Sequence, residues 1–110
     1  MEAKNNLMKY ERDIRDWTKK YALEVVKLTI ELKRLGIEFT LRDQLLRSGT
    51  SIGANVKEAK ASSSRREMVR FYEIALRSAD ETEYWYEVIQ QGYNLKAEIF
   101  TSMQKICKRL

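Results

Sequence analysis

The chain has 110 residues and a net charge of +5, with 44% hydrophobic and 34% charged residues and a pI near 9.4. These values predict one folded domain over residues 1–110, and no apolar run approaches the ~20 residues of a membrane span. The polar first ten residues predict no signal peptide, and the single cysteine, Cys107, excludes an internal disulfide. We therefore expect a cytoplasmic protein with no membrane contact, whose positive charge suits an anionic partner.

The first predicted helix runs from Asp13 or Asp16 to Leu35, after a polar, frayed start over residues 1–10. Its apolar residues recur at three- and four-residue steps: Trp17, Tyr21, Val25, Leu28, Leu32 and Leu35. A second, adjacent strip makes the apolar surface wider than a small bundle needs for its own core; it consists of Leu23, Val26 and Ile30. Gly36 follows two basic residues and is predicted to end the helix in a left-handed cap.

The second predicted helix runs from Leu41 to Ala61, with Thr40 at its start. Gly49 and Gly53 lie one turn apart inside it, although glycine costs about 1 kcal/mol relative to alanine in a helix. Close approach of another helix compensates for this cost, so the pair is predicted to form a packing notch. The same helix carries a polar file along one face: Arg47, Ser51, Asn55 and Glu58.

Helix three is predicted from Arg65 to Gln91, with a capping box at Ser64 and Glu67 and a stop at Gly92. Its small residues either receive the bulk of another helix or meet the notch; they are Ala75 and Ala79. A fourth helix is predicted from Leu95 or Lys96 to Lys108, with an apolar face of Leu95, Ile99, Met103 and Ile106. Four helices with short connections predict an all-α, antiparallel up-and-down four-helix bundle.

Charge is uneven along the chain. Residues 42–77 contain eight basic and four acidic residues, a net of +4, whereas residues 78–100 contain one basic and five acidic residues, a net of −4. Either the helices pair their charges internally, or a basic patch meets an acidic patch on the next subunit, as a head-to-tail ring requires.

Seven residues are predicted to lie in helix packing or in an oligomer interface. The aromatic ones are Trp17, Tyr21, Trp85 and Tyr86, because Tyr and Trp are enriched at interfaces. The others belong to the notch and the polar file of helix two: Gly49, Gly53 and Asn55.

Catalysis finds little support in the sequence. The absence of histidine excludes an imidazole base and the familiar histidine-containing metal sites, and no phosphate-binding loop is present. Carboxylates remain as acid–base candidates, at Glu58, Asp80, Glu81 and Glu83. Pairing with Arg47, Arg70 or Arg77 is the simpler role for these acids, including a ladder of Arg70, Glu73, Arg77 and Asp80 or Glu81. We predict no enzymatic activity, no cofactor and no metal.

A basic cluster at the junction of helices two and three is the candidate nucleic-acid site. It consists of Lys57, Lys60, Arg65, Arg66 and Arg70. The start of helix three adds free backbone amides and the positive end of the helix dipole, which suit a phosphate backbone. The alternative is a solvated, charged end of the bundle. No sequence-reading module is present, so binding would depend on phosphates and shape.

Two coupled segments resemble a known family. They comprise Arg47-Ser48, Ser51-Ile52-Gly53-Ala54-Asn55 and Glu58-Ala59, followed by Phe71, Ala75-Leu76, Ser78-Ala79 and Glu81-Thr82-Glu83. Over residues 16–108 the chain resembles the four-helix-bundle proteins encoded by intervening sequences in bacterial large-subunit ribosomal RNA genes. Val56, Lys57 and Ala59 depart mildly from the family pattern. Accessory variability determinants of diversity-generating retroelements, which are basic partners of nucleic acid and reverse transcriptase, resemble the same family.

The resemblance implies a homopentameric ring of four-helix bundles that binds nucleic acid and has no established enzymatic activity. The leading hypothesis is therefore an oligomeric protein that binds structured RNA or DNA through phosphate contacts. The alternative is a protein-interaction scaffold that recruits an acidic protein or a nucleic-acid enzyme. A small enzyme that uses the carboxylates is the third hypothesis.

Overall fold

Three long helices dominate the fold. A computed structural model describes the backbone of residues 2–101 and the side chains of residues 6, 9, 10 and 12–101. Helix α1 spans Glu2–Arg34, α2 spans Phe39–Ala61 and α3 spans Arg65–Gly92, and a short 3₁₀ helix follows at Ala97–Phe100. Residues 2–101 contain no β-strand, so the protein is all-α over this range. None of these helices combines the length and apolar character that crossing a bilayer requires.

Helix α2 packs against both α1 and α3, which contact each other far less. The short connections 35–38 and 62–64 make neighbouring helices antiparallel, and the described part is an elongated body of 51 × 23 × 18 Å. Apolar positions of all three helices form one core, to which Phe100 of the 3₁₀ helix also belongs. Its fully buried side chains include Tyr21, Val25, Leu32, Leu45, Ile89 and Phe100.

The predicted start of helix one is wrong, because α1 begins at Glu2 and residues 2–10 are helical. The apolar stripe that begins at Trp17 in the prediction continues about two turns further towards the N-terminus, through Ile14 to Tyr10. Ile14 packs against the core, and Tyr10 shares a groove with Tyr72 of α3. The predicted cap at Thr40 is also wrong, since α2 begins at Phe39 and its N-cap residue makes no side-chain cap bond.

The predicted glycine cap of α1 and the serine half of the predicted capping box of α3 are confirmed, whereas the Glu67 carboxylate accepts from the Ser63 hydroxyl and not from the Ser64 amide. Gly36 has a φ of +82°, and the backbone amide of Ile37 donates to the Leu32 carbonyl at 3.0 Å, as in a Schellman motif. Ile37 and Leu32 are both buried, which supplies the apolar contact that accompanies this motif. At the start of α3, the Ser64 hydroxyl accepts a hydrogen bond from the Glu67 amide at 3.1 Å. These local signals fix where α1 ends and where α3 begins.

The end of α3 differs from the prediction. The left-handed residue is Asn94, with a φ of +53°, and the Leu95 amide donates to the Gln90 carbonyl at 2.9 Å. Asparagine tolerates this conformation better than other residues with a side chain, so it replaces Gly92 as the stop signal. In the region of predicted helix four, the described residues form the 3₁₀ helix, whose Phe100 stacks on Tyr86 at 5.6 Å. The rest of the predicted helix, including Met103 and Ile106, lies outside the described residues.

Candidate nucleic-acid interface

The five residues of the basic cluster lie at one end of the protein. Lys57 and Lys60 occupy the last turns of α2, and Arg65, Arg66 and Arg70 occupy the first turns of α3, across a connection of residues 62–64. All five side chains are exposed, and none pairs with an acidic side chain among the described residues. The antiparallel turn thus gathers cations from two helices on one surface.

Local acids only partly offset this charge. Arg66 and Arg70 share a shallow concavity with Glu67 and Glu73. The Glu67 carboxylate lies 3.5 Å from the Ser63 hydroxyl, next to the N-terminus of α3. Because the arginines keep no carboxylate partner in the described structure, their guanidinium groups are available to an anion.

The ion pairs that the structure describes form within single helices. Arg47 pairs with Asp43 at 3.0 Å, rather than with the acids of α3. A hydrogen bond from Arg34 holds the pKa of Glu31 below its usual range and raises the pKa of Arg34. In the described residues the predicted ladder from Arg70 to Asp80 does not form ion pairs; Glu81 instead accepts a hydrogen bond from Trp85 Nε1 at 3.2 Å.

The two notch glycines face α1. A Cβ at Gly49 would lie 2.6 and 2.8 Å from the two methyl carbons of Val25. At Gly53 it would lie 3.3 Å from the backbone carbon and oxygen of Thr18. The notch therefore sets the distance between α1 and α2, and it does not meet the small residues of α3.

The other predicted packing residues divide between core and surface. Tyr21 and Tyr86 are buried within this chain, whereas Trp17 and Trp85 are only half-buried. Asn55 Nδ2 donates to the Ser51 carbonyl at 2.8 Å and lies 2.9 Å from its hydroxyl. The Ser51 hydroxyl in turn lies 3.0 Å from that of Ser78, so the polar file of α2 joins α2 to α3.

A group of large apolar side chains is exposed along α1. The α1 strip, defined as Leu23, Val26 and Ile30, has exposed fractions of 54%, 40% and 66%. Phe39, at the start of α2, is 66% exposed and lines a small groove with Ile30. Monomeric soluble proteins seldom expose adjoining apolar side chains of this size, so the strip has the character of an interface.

The fold brings two further cations to the basic end, which the sequence did not predict as part of the site. Arg15 and Lys19 of α1 line a groove whose opposite wall includes Lys57 of α2. The closely spaced basic residues of α1 were a visible signal. Their proximity to Lys57 depends, however, on the register of α1 against α2, which the spacing of residues within one helix does not reveal.

Comparison with known proteins agrees with the resemblance of the motif. A solved structure, described as a protein of unknown function from the S23 ribosomal protein family of Bacteroides thetaiotaomicron VPI-5482, is 34% identical in sequence. Its TM-score is 0.84, and the similarity covers 90% of this chain and 88% of that one. No curated protein matches the chain. The family model of the 23S rRNA-intervening sequence protein matches residues 11–110. The chain therefore belongs to the 23S rRNA-intervening sequence protein family.

Proposed function

We propose that this protein binds structured RNA or DNA through contacts to the phosphate backbone. The observation that carries the proposal is the basic cluster, in which five exposed cations from two helices share one end of the protein and pair with no acid of the described residues. Unpaired lysine and arginine side chains gain free energy when they replace the counterions of a nucleic acid. The N-terminus of α3 adds oriented backbone amides at the same end.

This binding mode predicts strong salt dependence and little sequence preference. Each neutralised phosphate contributes about 0.9 to the slope of log K against log salt for a duplex. Five contacts would therefore give a slope near −4.5, and affinity would fall by roughly 10²- to 10³-fold between about 50 and 200 mM salt. Contacts to base edges would instead give sequence discrimination that persists at high salt.

We also propose that the protein acts as a homo-oligomer, a pentameric ring as the motif resemblance implies, in the cytoplasm. The α1 strip supports an interface, in which its exposed apolar side chains meet a different surface of the next copy. A contact between two different surfaces repeats from copy to copy, and it closes into a pentameric ring when each copy is rotated by one fifth of a turn relative to the last. Ile30→Glu should lower the mass measured by light scattering, whereas Lys20→Glu, an exposed change on the same helix, should not.

The four-helix bundle stays part of the proposal. An apolar groove of about 130 Å³ lies between α1 and α3, and its walls include Ile14, Tyr72 and Leu76. Such an opening suits the apolar face of a fourth helix, which would also bury the exposed part of Leu76.

The resemblance to accessory variability determinants of retroelements stays a prediction, and it supports the same nucleic-acid role.

The test is a fluorescence-anisotropy titration of a structured ribosomal RNA fragment at low and near-physiological salt. Changing Lys60, Arg65, Arg66 and Arg70 to Gln should reduce the salt slope by about 4 and abolish measurable binding at the higher salt. The matched control replaces four exposed basic residues distant from this end: Lys27, Lys33, Arg34 and Lys96. Equal losses in both variants would show that net charge alone, rather than the basic cluster, attracts RNA.

Absence of binding by the wild-type protein at either salt would contradict the proposal. The alternative scaffold role would then be favoured, with an acidic protein or a nucleic-acid enzyme as the partner. Enzymatic activity remains outside the proposal. It would gain support only from an activity lost in Glu58→Gln or Glu83→Gln variants that keep the native helix content.

A further inference from the structure

The groove between the first half of α1 and the last half of α2, called here the basic groove, differs from the rest of the α1–α2 contact. Its floor is made of small residues: Thr18, Ala22, Thr50, Gly53 and Ala54. Near the other end of the same contact, the groove beside Phe39 is smaller, and the Arg42 guanidinium on its wall already donates to the Ile37 carbonyl at 2.9 Å. The basic groove has a volume of about 490 Å³, enough to admit part of a nucleic-acid backbone.

The geometry of the floor follows from the notch. At Gly53 the α1 backbone comes so close that a Cβ would contact the Thr18 carbonyl group at 3.3 Å. The floor hydroxyls already donate within their own helices. Thr50 Oγ1 donates to the Leu46 carbonyl at 2.7 Å, and Thr18 Oγ1 donates to the Arg15 carbonyl at 3.1 Å. Donors for a ligand must therefore come from the walls.

The walls supply three cations and one acid. Arg15 and Lys19 of α1 and Lys57 of α2 line the groove, and Asp16 is the single carboxylate beside them among the side chains that the structure describes. None of the three cations pairs with an acidic side chain among the described residues. Three cations that have no acidic partner in the described part of the chain favour an anion in the open groove, and Arg15 offers the planar fork of donors that matches a phosphate.

We propose that the basic groove is a second phosphate subsite, which holds the backbone of the same nucleic acid that the basic cluster binds. The inference rests on the proposed function and extends its surface from two helices to three. Lys57 belongs to both surfaces, because it lies on the basic groove and precedes Lys60 by one turn. A bound strand that contacts both surfaces therefore runs from the start of α3 past Lys57 to α1.

The first test removes the two α1 cations. Arg15→Gln with Lys19→Gln should reduce the salt slope of RNA binding by about 2, and weaken binding roughly 10- to 30-fold near physiological salt. The control is Lys20→Gln with Lys27→Gln, which removes the same charge from the same helix but from residues that do not line the groove. Circular dichroism and oligomer mass should match the wild type in both variants.

A second test predicts a gain, which misfolding does not produce. Asp16→Asn removes the one acid of the groove, and the Coulomb energy between unit charges about 8 Å apart in water corresponds to about two-fold tighter binding. Weaker or unchanged binding of Asp16→Asn would contradict the subsite.

The outcomes separate this inference from the function on which it rests. If the wild-type protein binds no RNA, the proposed function is wrong. If the wild type binds and the basic-cluster variant does not, while Arg15→Gln with Lys19→Gln keeps the wild-type slope, only the basic groove is overturned.

Discussion

Replacing Gly49 by alanine tests whether the notch sets the spacing of α1 and α2. Helix propensity alone favours the change by about 1 kcal/mol. The new Cβ would nevertheless lie 2.6 and 2.8 Å from the methyl carbons of Val25, well inside the ~3.5–4.0 Å of ordinary carbon contacts. Valine has one strongly preferred rotamer in a helix, so the clash is relieved mainly by moving α1.

The expected result is a net loss of stability. Overpacking costs about 1–3 kcal/mol, and two contacts below 3.0 Å place this site at the upper end of that range, at about 2–3 kcal/mol. Subtracting the propensity gain of about 1 kcal/mol leaves Gly49→Ala less stable by about 1–2 kcal/mol. Urea unfolding followed by circular dichroism, at fixed protein concentration, measures the change. Gly92→Ala is the matched control, because a Cβ at that helical glycine meets no atom within 4 Å.

A double-mutant cycle with Val25→Ala assigns the loss to this contact. Val25→Ala alone should cost about 2 kcal/mol, since two buried methyl groups are removed. In the double variant the Cβ of the alanine at position 49 occupies part of the space that the valine methyl groups vacate. The loss of unfolding free energy in the double variant should therefore be smaller than the sum of the two single losses by at least about 1 kcal/mol. A Gly49→Ala protein as stable as the wild type, or an additive cycle, would refute the reasoning.

Three further predictions follow from the helix ends. Gly36→Ala should lower the free energy of unfolding in a urea titration by about 1–2 kcal/mol, because alanine must adopt a φ of +82°, whereas Gly92→Ala should raise it by up to about 1 kcal/mol. Ser64→Ala should cost about 1 kcal/mol through loss of its bond to the Glu67 amide, and a Ser64→Asp variant should restore stability; failure of that rescue would argue against the cap. The lowered pKa of Glu31 means that its ion pair with Arg34 stabilises the folded state above the usual carboxyl pKa and loses this effect as pH falls through the folded value. An NMR titration should show the Glu31 pKa rising in Arg34→Gln, and an unchanged value would exclude the hydrogen bond as its cause.

The ends of the helices were predicted correctly where the sequence signal lies within a few consecutive residues. The caps at Gly36 and Ser64 depend on a few consecutive residues, and both are confirmed. The start of α1 was misplaced because Tyr10 and Ile14 continue the apolar stripe among polar neighbours, and only contact with α3 and the core reveals their role. At the end of α3 both Gly92 and Asn94 are residues that can end a helix. In the structure Asn94, and not Gly92, adopts the left-handed conformation.

The sequence by itself determined the helical class, the family and the charged residues of the basic cluster, because periodicity, motif and charge are properties of nearby positions. Only the tertiary structure decided which helix enters the notch and which cations share a surface. Gly49 and Gly53 predict that some helix approaches closely, but the contacts with Val25 and Thr18 identify it as α1. That register also brings Arg15 and Lys19 to Lys57. Helix–helix register arises from side-chain interdigitation across residues distant in sequence, so no spacing within one helix contains it.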